Sequence, residues 1–372
     1  MAPEQFLNAL DSAGVKFYTG VPDSLLKGFC YLLTRLDSSR HISATNEGMA
    51  VSLAIGHYLG SRSTPAVYLQ NSGLGNALNP VISLAHKSVY QIPLLLIIGW
   101  RGEPGSIDEP QHQAQGSITI PILEICGIQH MVLSENTNEK EINNFVKKMA
   151  VAESGPFAIV VSKSGLSSGP KWENSYSDTQ LTRKSAIQTI VKQVSKKDII
   201  VATTGKISRE LLAARKLASN SHADFLCVGG MGHASSISTG IAISNPSRRV
   251  FCLDGDGALQ MHLGSAATIG ELAPKNLFHI VFNNGSHDSV GGQPVAVPNL
   301  DYQNMFRAFG YLHQLFASSE DETHQAISFC NQNKGPIFIE IKIIGGRDDQ
   351  LPRPTEAPVI ALKKFQKCIQ DD

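Results

Sequence analysis

The stretch Val250-Phe251-Cys252-Leu253-Asp254-Gly255-Asp256-Gly257 decides how this chain folds. Its first four residues form an apolar run typical of a buried strand, and the polar residues after them end that strand in a glycine-containing loop. A second apolar run, Leu277 to Phe282, ends in the loop Asn283-Asn284-Gly285. Apolar residues near helical spacing predict a helix between the two strands, and Pro274 ends it. The pattern therefore predicts a βαβ unit.

The two polar loops are predicted to lie side by side. A right-handed crossover makes the strands parallel, so both loops reach the carboxyl edge of the sheet, where α/β proteins bind ligands. Asp256, Asn284 and the backbone carbonyl of Ser286 would then offer oxygen ligands to Mg²⁺ and leave two of its coordination positions to phosphate oxygens. Gly255 and Gly257 would let the backbone approach a diphosphate closely. Asp-Gly and Asn-Gly are also common turn dipeptides, which leaves a plain turn open for either loop alone.

Composition limits the classes of protein to consider. The chain has 372 residues, 42% of them hydrophobic, which is enough for two α/β domains. Its 32 basic and 32 acidic residues balance, so we expect no nucleic-acid partner and no binding to an anionic membrane. Six scattered cysteines without a Cys-x-x-Cys pair indicate buried thiols in a reducing compartment. The lack of a leader and of a membrane-length apolar run predicts a soluble, cytoplasmic protein.

Strand-like and helical segments alternate along both halves of the chain. Examples are the strand-like runs Leu94 to Ile98 and Ile337 to Ile343. The stretch between the halves is poor in apolar periodicity, which predicts a linker at 166–180 between domains at 1–165 and 181–372. Alternation of this kind predicts two doubly wound parallel sheets of the α/β class.

Glu47 is a candidate functional carboxyl of the first half. It begins a predicted helix in Thr45-Asn46-Glu47-Gly48, directly after a predicted strand. A glutamate in a first helical turn often does no more than complement the helix dipole. The small neighbours Gly48 and Ala50 also allow a flat heterocycle to pack closely, and burial would let the carboxyl share a proton with it.

Two further loops of the second half carry possible phosphate or cofactor contacts. Thr203-Thr204-Gly205-Lys206 follows a predicted strand, so its amides and hydroxyls could cradle phosphate, although Lys206 is also compatible with a solvated charge. The spacing of a Walker loop is absent, and no Gly-x-Gly-x-x-Gly follows the first strand. Val228-Gly229-Gly230-Met231-Gly232 could be a tight turn, and Met231 could be core filler.

Gly255-Asp256-Gly257 followed by Asn284, together with Glu47, resembles the signature of thiamine diphosphate enzymes. The resemblance implies that Asp256, Asn284 and the Ser286 carbonyl bind Mg²⁺, and that Glu47 exchanges a proton with the pyrimidine ring of the cofactor. It also implies two cofactor-binding domains without a middle domain. The cofactor-binding residues that it implies are Glu47, Thr204, Gly205, Lys206, Gly229, Met231, Gly255, Asp256, Gly257, Ala258 and Asn284.

Four more segments narrow the resemblance, namely Gly20-Val21-Pro22-Asp23-Ser24, Gln70-Asn71-Ser72-Gly73-Leu74-Gly75-Asn76, Gly99-Trp100-Arg101-Gly102-Glu103-Pro104 and Ser289-Val290-Gly291-Gly292-Gln293-Pro294. They resemble the phosphonopyruvate decarboxylase family, with sulfopyruvate decarboxylases as near relatives. A small anionic 2-oxo acid is then the implied substrate, and decarboxylation of 3-phosphonopyruvate to phosphonoacetaldehyde and CO₂ is the implied reaction. A sulfopyruvate decarboxylase and a noncatalytic cofactor-binding subunit are the alternatives.

The same resemblance assigns roles to residues of these segments. Asp23 and His112 become candidates for proton transfer, alongside Glu47. The candidates for substrate binding are Asn71, Ser72, Arg101, His287 and Arg347. The family further implies a homo-oligomer, at least a dimer, in which the active site is shared between two copies of the chain.

Overall fold

Two six-stranded parallel sheets, each in its own unit, organise the chain. The computed structural model describes residues 1–151, 153–172, 180–218, 223–344, 351 and 355–370. The first unit comprises Met1–Glu173 and Ser289–Ala296, and the second comprises Asn174–Asp288 and Val297–Asp372. Residues 173–179 of the predicted linker lie outside the described residues. The domain bounds 1–165 and 181–372 stay predictions.

The sheet of the first unit has the strand order β2-β1-β3-β4-β6-β5, and every neighbouring pair is parallel. Its strands are β1 (Tyr18–Gly20), β2 (His41–Ser43), β3 (Ala66–Gln70), β4 (Leu94–Gly99), β5 (Gln129–Leu133) and β6 (Pro156–Val161). The helices between them are α1 (Pro3–Ser12), α2 (Lys27–Leu33), α3 (Glu47–Ser61), α4 (Leu74–Pro80), α5 (Pro110–Ile125) and α6 (Glu139–Met149).

The sheet of the second unit has the strand order β13-β14-β10-β9-β7-β8 and is also parallel throughout. Its strands are β7 (Ile199–Ala202), β8 (Ala223–Leu226), β9 (Val250–Gly255), β10 (Leu277–Asn283), β13 (His313–Ala317) and β14 (Ile337–Lys342). Two short strands lie outside this sheet, β11 (Ser286–His287) and β12 (Gln293–Pro294). The helices are α7 (Arg183–Gln193), α8 (Lys206–Leu217), α9 (Ala234–Ser244), α10 (Asp256–Met261), α11 (Gly264–Leu272), α12 (Tyr302–Ala308), α13 (Glu320–Gln332) and α14 (Pro358–Gln370).

Burial on both faces explains why the central strands are apolar runs. Each residue of β4, β6 and β10 is buried, because helices cover both sides of a parallel sheet. Each sheet accordingly has two separate hydrophobic clusters packed against it. The predicted α/β class with two doubly wound parallel sheets is confirmed.

The segment Ser289–Ala296 belongs to the first unit although the second unit surrounds it in sequence. Gln293, in β12, is fully buried there. Its Nε2 donates to the hydroxyl of Tyr68 and to that of Ser43, each at 3.2 Å. These bonds fix the segment to strands β2 and β3 of the first sheet.

Of the strands in the two six-stranded sheets, the sequence pattern misses β5 and β13; it also misses the short strands β11 and β12. Strands β5 and β13 are edge strands with mixed exposure, since each has one neighbour in its sheet and buries only its last residue. A partly exposed edge strand does not need the apolar run by which a central strand is recognised. The predicted single helix between β9 and β10 is in fact two helices, α10 and α11, separated by His262 and Leu263.

No helix in the described part of the chain combines the length and apolar character that crossing a membrane requires.

Candidate functional site

Asp256 lies at the carboxyl end of β9, as the first residue of α10. The residue is 3% exposed. Its Oδ1 accepts the N–H of Gly257 at 2.8 Å, and its Oδ2 accepts the N–H of Gly285 at 2.6 Å. Because Gly285 lies in the loop after β10, the parallel neighbour of β9, this one carboxylate joins the ends of two adjacent strands. The predicted meeting of these loops at one sheet edge is thus found in the structure.

The electrostatics of Asp256 favour a cation beside it. Burial raises the pKa of Asp256 to about 7, against the effect of its two backbone N–H donors and of Lys342. A buried carboxylate loses its hydration, and this loss is costly unless a positive charge compensates it. A divalent cation bound at the carboxylate would supply that compensation.

Asn284 and Ser286 extend the oxygen set beside Asp256. The Nδ2 of Asn284 donates to the Ser286 hydroxyl at 3.0 Å, and the N–H of Ser286 donates to Asn284 Oδ1 at 3.3 Å. Gly285 between them has φ +69°, a backbone conformation that glycine adopts without strain. Carboxylate, amide and backbone oxygens on one loop pair are the ligand types that Mg²⁺ prefers. Asp256, Asn284 and the Ser286 carbonyl could therefore hold this ion.

Four predicted cofactor loops follow four adjacent strands. In the sheet order β10-β9-β7-β8, the segments at the ends of these strands contain respectively Asn284, Gly255 to Ala258, Thr204 to Lys206, and Gly229 to Met231. Since all four strands are parallel, the loops share the carboxyl edge of the second sheet. That edge is where ligands bind in open α/β sheets, so the fold brings these residues to one face.

The loop between β7 and α8 is suited to bind phosphate oxygens. Gly205 has φ +100°, and Lys206 is the first residue of α8, whose first-turn backbone N–H groups have no acceptor within the helix. The N–H of Thr203 donates to Leu253 of β9 at 2.9 Å, which fixes the loop beside the Asp256 strand. The buried Thr203 hydroxyl has no hydrogen-bond partner among the described residues. It is thus available to a ligand at this edge.

The glycine-rich loop after β8 packs against α10. Gly230 and Gly232 both have positive φ, +64° and +88°. A Cβ on Gly232 would come within 2.9 Å of the Ala258 carbonyl, so glycine is required for this close approach. Gly229 and Met231 are both half-buried. Their predicted contacts with the cofactor stay predictions.

Glu47 occupies the first position of α3 in the first unit, after the capping residue Asn46. It is 5% exposed, and Asn76 Nδ2 donates to its Oε2 at 2.9 Å. Burial raises the pKa of the Glu47 carboxyl, and the bond from Asn76 opposes that shift. Gly73 packs directly on the carboxyl group, where a Cβ would overlap it. Glu47 is therefore more than a solvated dipole-complementing residue.

Asp23 is a second buried carboxyl of the first unit and is fully shielded from solvent. Its Oδ1 accepts the N–H of Leu25 at 2.9 Å, while its Oδ2 has no partner within the described ranges. Gly99 lies against this carboxyl so closely that a Cβ there would overlap it. Burial raises the pKa of Asp23 to about 6, although the Leu25 N–H and the Arg101 charge oppose the shift. A carboxyl tuned in this way can hold or release a proton near neutral pH.

Arg101, Asp108 and His112 form one network. Arg101 binds Asp108 through two bonds, Nε to Oδ2 at 2.8 Å and Nη2 to Oδ1 at 2.6 Å, and donates from Nη1 to Ser24 at 2.8 Å. The Nδ1 of His112 lies 3.1 Å from Asp108 Oδ1. A carboxylate paired with arginine only accepts, so Nδ1 carries a hydrogen and Nε2 is left for proton transfer. Burial and the Arg101 charge lower the pKa of His112, which favours its neutral form.

The remaining predicted substrate residues have different environments. Asn71 Nδ2 donates to the Arg101 carbonyl at 2.8 Å and to the Thr119 hydroxyl at 3.0 Å, so its amide fixes the Arg101 segment. Ser72 is exposed, and His287 is half-buried in β11. Arg347 lies outside the described residues. The substrate-binding roles of these residues, and that of Arg101, stay predictions.

Sequence reasoning missed three residues that shape the first unit's site. These are Asp108, which holds Arg101 and His112, and the pair Gly73 and Asn76, which contact the Glu47 carboxyl. The spacing of Asp108 and His112, four residues apart, was a usable signal for the first. Gly73 and Asn76 lie on the chain segment that follows β3, and only the folded unit brings them to Glu47.

Both halves of the chain match domain families of known proteins. Residues 2–121 match the family "Thiamine pyrophosphate enzyme, N-terminal TPP binding domain". Residues 204–341 match the family "Thiamine pyrophosphate enzyme, C-terminal TPP binding domain". The second match includes the loops that contain Lys206, Asp256 and Asn284.

Relatives of similar length cover nearly all of the chain. A phosphonopyruvate decarboxylase of Streptomyces viridochromogenes is 32% identical, over 97% of this chain and 93% of the relative. A phosphonopyruvate decarboxylase of Streptomyces hygroscopicus is 31% identical, over 99% and 94%. A sulfopyruvate decarboxylase of Methanosarcina acetivorans is 25% identical, over 98% and 97%. The chain therefore belongs to the thiamine pyrophosphate enzyme family and is a carboxy-lyase related to the phosphonopyruvate decarboxylases.

Proposed function

We propose that this enzyme decarboxylates 3-phosphonopyruvate to phosphonoacetaldehyde and CO₂, a step of phosphonate biosynthesis, with thiamine diphosphate and Mg²⁺. The observation that carries the proposal is the buried Asp256 carboxylate at the edge where four cofactor loops converge. The substrate rests on the two phosphonopyruvate decarboxylases that match almost the full chain. In the reaction, the bond between the carboxylate carbon and the ketone carbon breaks, CO₂ leaves, and the former ketone carbon takes up one proton.

The second unit would hold the cofactor by its diphosphate. Asp256, Asn284 and the Ser286 carbonyl would bind Mg²⁺, which would supply positive charge for the diphosphate. Backbone N–H groups at the start of α8 and between Gly255 and Ala258, where β9 meets α10, would bind diphosphate oxygens. When bound, thiamine diphosphate supplies the electron sink that accepts the electron pair as CO₂ leaves.

The first unit would supply proton-transfer groups. Glu47 would bind the cofactor's pyrimidine nitrogen through its buried carboxyl, which Asn76 holds in place. Asp23 and the Nε2 of His112 are the candidates for delivering a proton to the former ketone carbon. Asp108 orients His112 by accepting from its Nδ1, so it acts as a positioning residue.

We further propose that the enzyme is a homo-oligomer, at least a dimer, whose active site combines the Glu47 region of one copy with the Asp256 region of another. Closed two-fold symmetry produces two equal sites of this kind in a dimer. The substrate is a small anion, and Arg101, Arg347, Asn71, Ser72 and His287 are the candidates for binding it. Arginine suits the phosphonate because its planar fork can bind two oxygens at once.

A sulfopyruvate decarboxylase is the second candidate, because a relative with that name aligns over 98% of the chain. Phosphonate and sulfonate groups differ in charge near neutral pH, so the two substrates need different numbers of compensating cations. A substrate comparison separates the candidates directly.

The purified protein with thiamine diphosphate and Mg²⁺ should release CO₂ from phosphonopyruvate with a higher kcat/KM than from sulfopyruvate or pyruvate. We expect a ratio of about tenfold or more, because a buried polar group discriminates strongly against a ligand that leaves it unpaired. The reverse ranking of phosphonopyruvate and sulfopyruvate would reject the substrate assignment while leaving the cofactor chemistry in place.

Glu47→Gln should lower kcat by about 10² to 10⁴-fold, because an amide cannot exchange the proton that a carboxyl exchanges. Asp256→Ala should also inactivate the enzyme.

Co-expression of Glu47→Gln and Asp256→Ala in equal amounts should restore about a quarter of wild-type activity. Half of the dimers are then mixed, and each mixed dimer has one intact site out of two. Steady-state CO₂ release measures all three values.

Wild-type activity in Glu47→Gln would reject the proposed role of Glu47. Co-expressed variants that stay as inactive as each alone would instead reject the site shared between copies. Glu124→Gln is the matched control, because Glu124 is an exposed glutamate of α5, and we expect it to retain full activity.

Asp23→Asn should change the pH dependence of stability. The folded-state pKa of Asp23, about 6, exceeds the ordinary value of 3.8, so folding favours its protonated form. The stabilisation that wild type gains from protonated Asp23 is present below about pH 4 and is lost as the pH rises through about 6. The free energy of unfolding of wild type falls by about 3 kcal/mol over this range. The unfolding free energy of Asp23→Asn relative to wild type should therefore rise between pH 4 and 7.

Urea unfolding of both proteins across this range measures the difference. An exposed aspartate of the same unit, Asp37, provides the control variant Asp37→Asn. The difference in unfolding free energy between wild type and Asp23→Asn could instead stay constant with pH. That result would contradict the raised pKa of Asp23 and its role as a proton donor near neutral pH.

A further inference from the structure

A buried network of ion pairs is hydrogen-bonded to the proposed metal-binding loop of the second unit, at Ser286. Arg183, the first residue of α7, binds Glu210 of α8 through Nε and Nη2 at 2.9 and 3.1 Å. Its Nη1 donates to Asp288 Oδ2 at 3.0 Å. The three side chains are 5%, 3% and 6% exposed. Such burial keeps the geometry of the ion pairs fixed, because breaking them would leave an unpaired charge in the interior.

Hydrogen bonds lead from this network to the metal loop. The other oxygen of Asp288, Oδ1, accepts from the Ser286 hydroxyl at 3.1 Å. The Ser286 hydroxyl in turn accepts from Asn284 Nδ2 at 3.0 Å. The path therefore runs from Glu210 through Arg183, Asp288 and Ser286 to Asn284.

The direction of each bond along this path is determined. A carboxylate paired with a guanidinium only accepts hydrogen bonds, so the Ser286 hydroxyl must donate its single hydrogen to Asp288. Its oxygen then accepts from Asn284, and the amide nitrogen of Asn284 must be the group that faces it. The carbonyl oxygen Oδ1 of Asn284 accepts the Ser286 N–H at 3.3 Å and keeps its second lone pair for a cation.

We propose that Arg183, Asp288 and the Ser286 hydroxyl are positioning residues that orient the Asn284 amide with its oxygen toward the metal ion. The inference rests on the proposed function, in which Asn284 is an Mg²⁺ ligand. Groups behind a metal ligand fix the orientation of that ligand, and their loss weakens metal binding by about 10- to 100-fold. The Ser286 backbone carbonyl, a proposed ligand itself, is a different atom from the hydroxyl that acts here.

Ser286→Ala removes the hydroxyl and keeps the backbone carbonyl. At saturating thiamine diphosphate, Mg²⁺ should raise the melting temperature of the protein as it binds. The Mg²⁺ concentration at half of this rise should be about tenfold higher or more in Ser286→Ala than in wild type. Asp288→Asn should shift it in the same direction, and it leaves the ion pair between Arg183 and Glu210 intact.

Ser328→Ala is the matched control, because the hydroxyl of Ser328 also bonds a side chain, Gln193, at 3.1 Å. It should titrate with Mg²⁺ like wild type. If Ser286→Ala and Asp288→Asn both titrate like this control, or change only the melting temperature without metal, the positioning role is overturned. If wild type itself shows no Mg²⁺-dependent stabilisation with thiamine diphosphate, the proposed metal site and the positioning role fall together.

Discussion

The Asp256 carboxylate is the interaction on which the second unit's site depends. Its two oxygens accept backbone N–H groups from Gly257, at the start of α10, and from Gly285, in the loop after the adjacent parallel strand β10. One buried side chain thus sets the separation of the two loops that supply the proposed metal ligands. Backbone N–H donors compensate the negative charge of the Asp256 carboxylate only in part, and its pKa is therefore raised. A bound divalent cation would supply the missing compensation, so the burial that is costly for an uncompensated carboxylate favours metal binding.

The first unit uses burial for a different purpose. Glu47 and Asp23 are both shielded from solvent, and burial raises the pKa of each carboxyl. Glycines Gly73 and Gly99 make this shielding possible, because each packs its backbone on a carboxyl group with no room for a side chain. Carboxyls that can carry a proton near neutral pH suit a reaction that ends in protonation of carbon. Under the proposed function, the second unit binds the metal ion and the diphosphate, and the first unit exchanges protons.

Features within one short segment were predictable from the sequence. The strands β9 and β10 were recognisable because burial on both faces requires continuous apolar runs, and their parallel pairing placed Asp256 beside the Asn284 loop. Glu47 was recognisable as the first residue of a helix after a strand. Edge strands such as β5 and β13 were not recognisable, because one exposed side relaxes the apolar pattern.

Side-chain partners that only the folded chain brings together were not predictable. Arg183 and Asp288 are separated by 105 residues, so no local spacing relates them. Arg101 stood out as a cation for the substrate, yet its guanidinium forms two bonds with Asp108, which only the folded loop brings within reach. A charged residue in a sequence shows what it could bind, and the fold decides which of its partners is present.

The central claim is that Asp256 holds the metal ion through which thiamine diphosphate binds. Calorimetry tests it most directly, by titration of thiamine diphosphate into wild type and into Asp256→Ala, each with Mg²⁺ and with a chelator. Asp321→Ala, at an exposed position of α13, is the control. Wild type and control should bind tightly only with Mg²⁺, and Asp256→Ala should lose about a hundredfold or more in affinity. Equal binding by Asp256→Ala and wild type in Mg²⁺ would contradict the account.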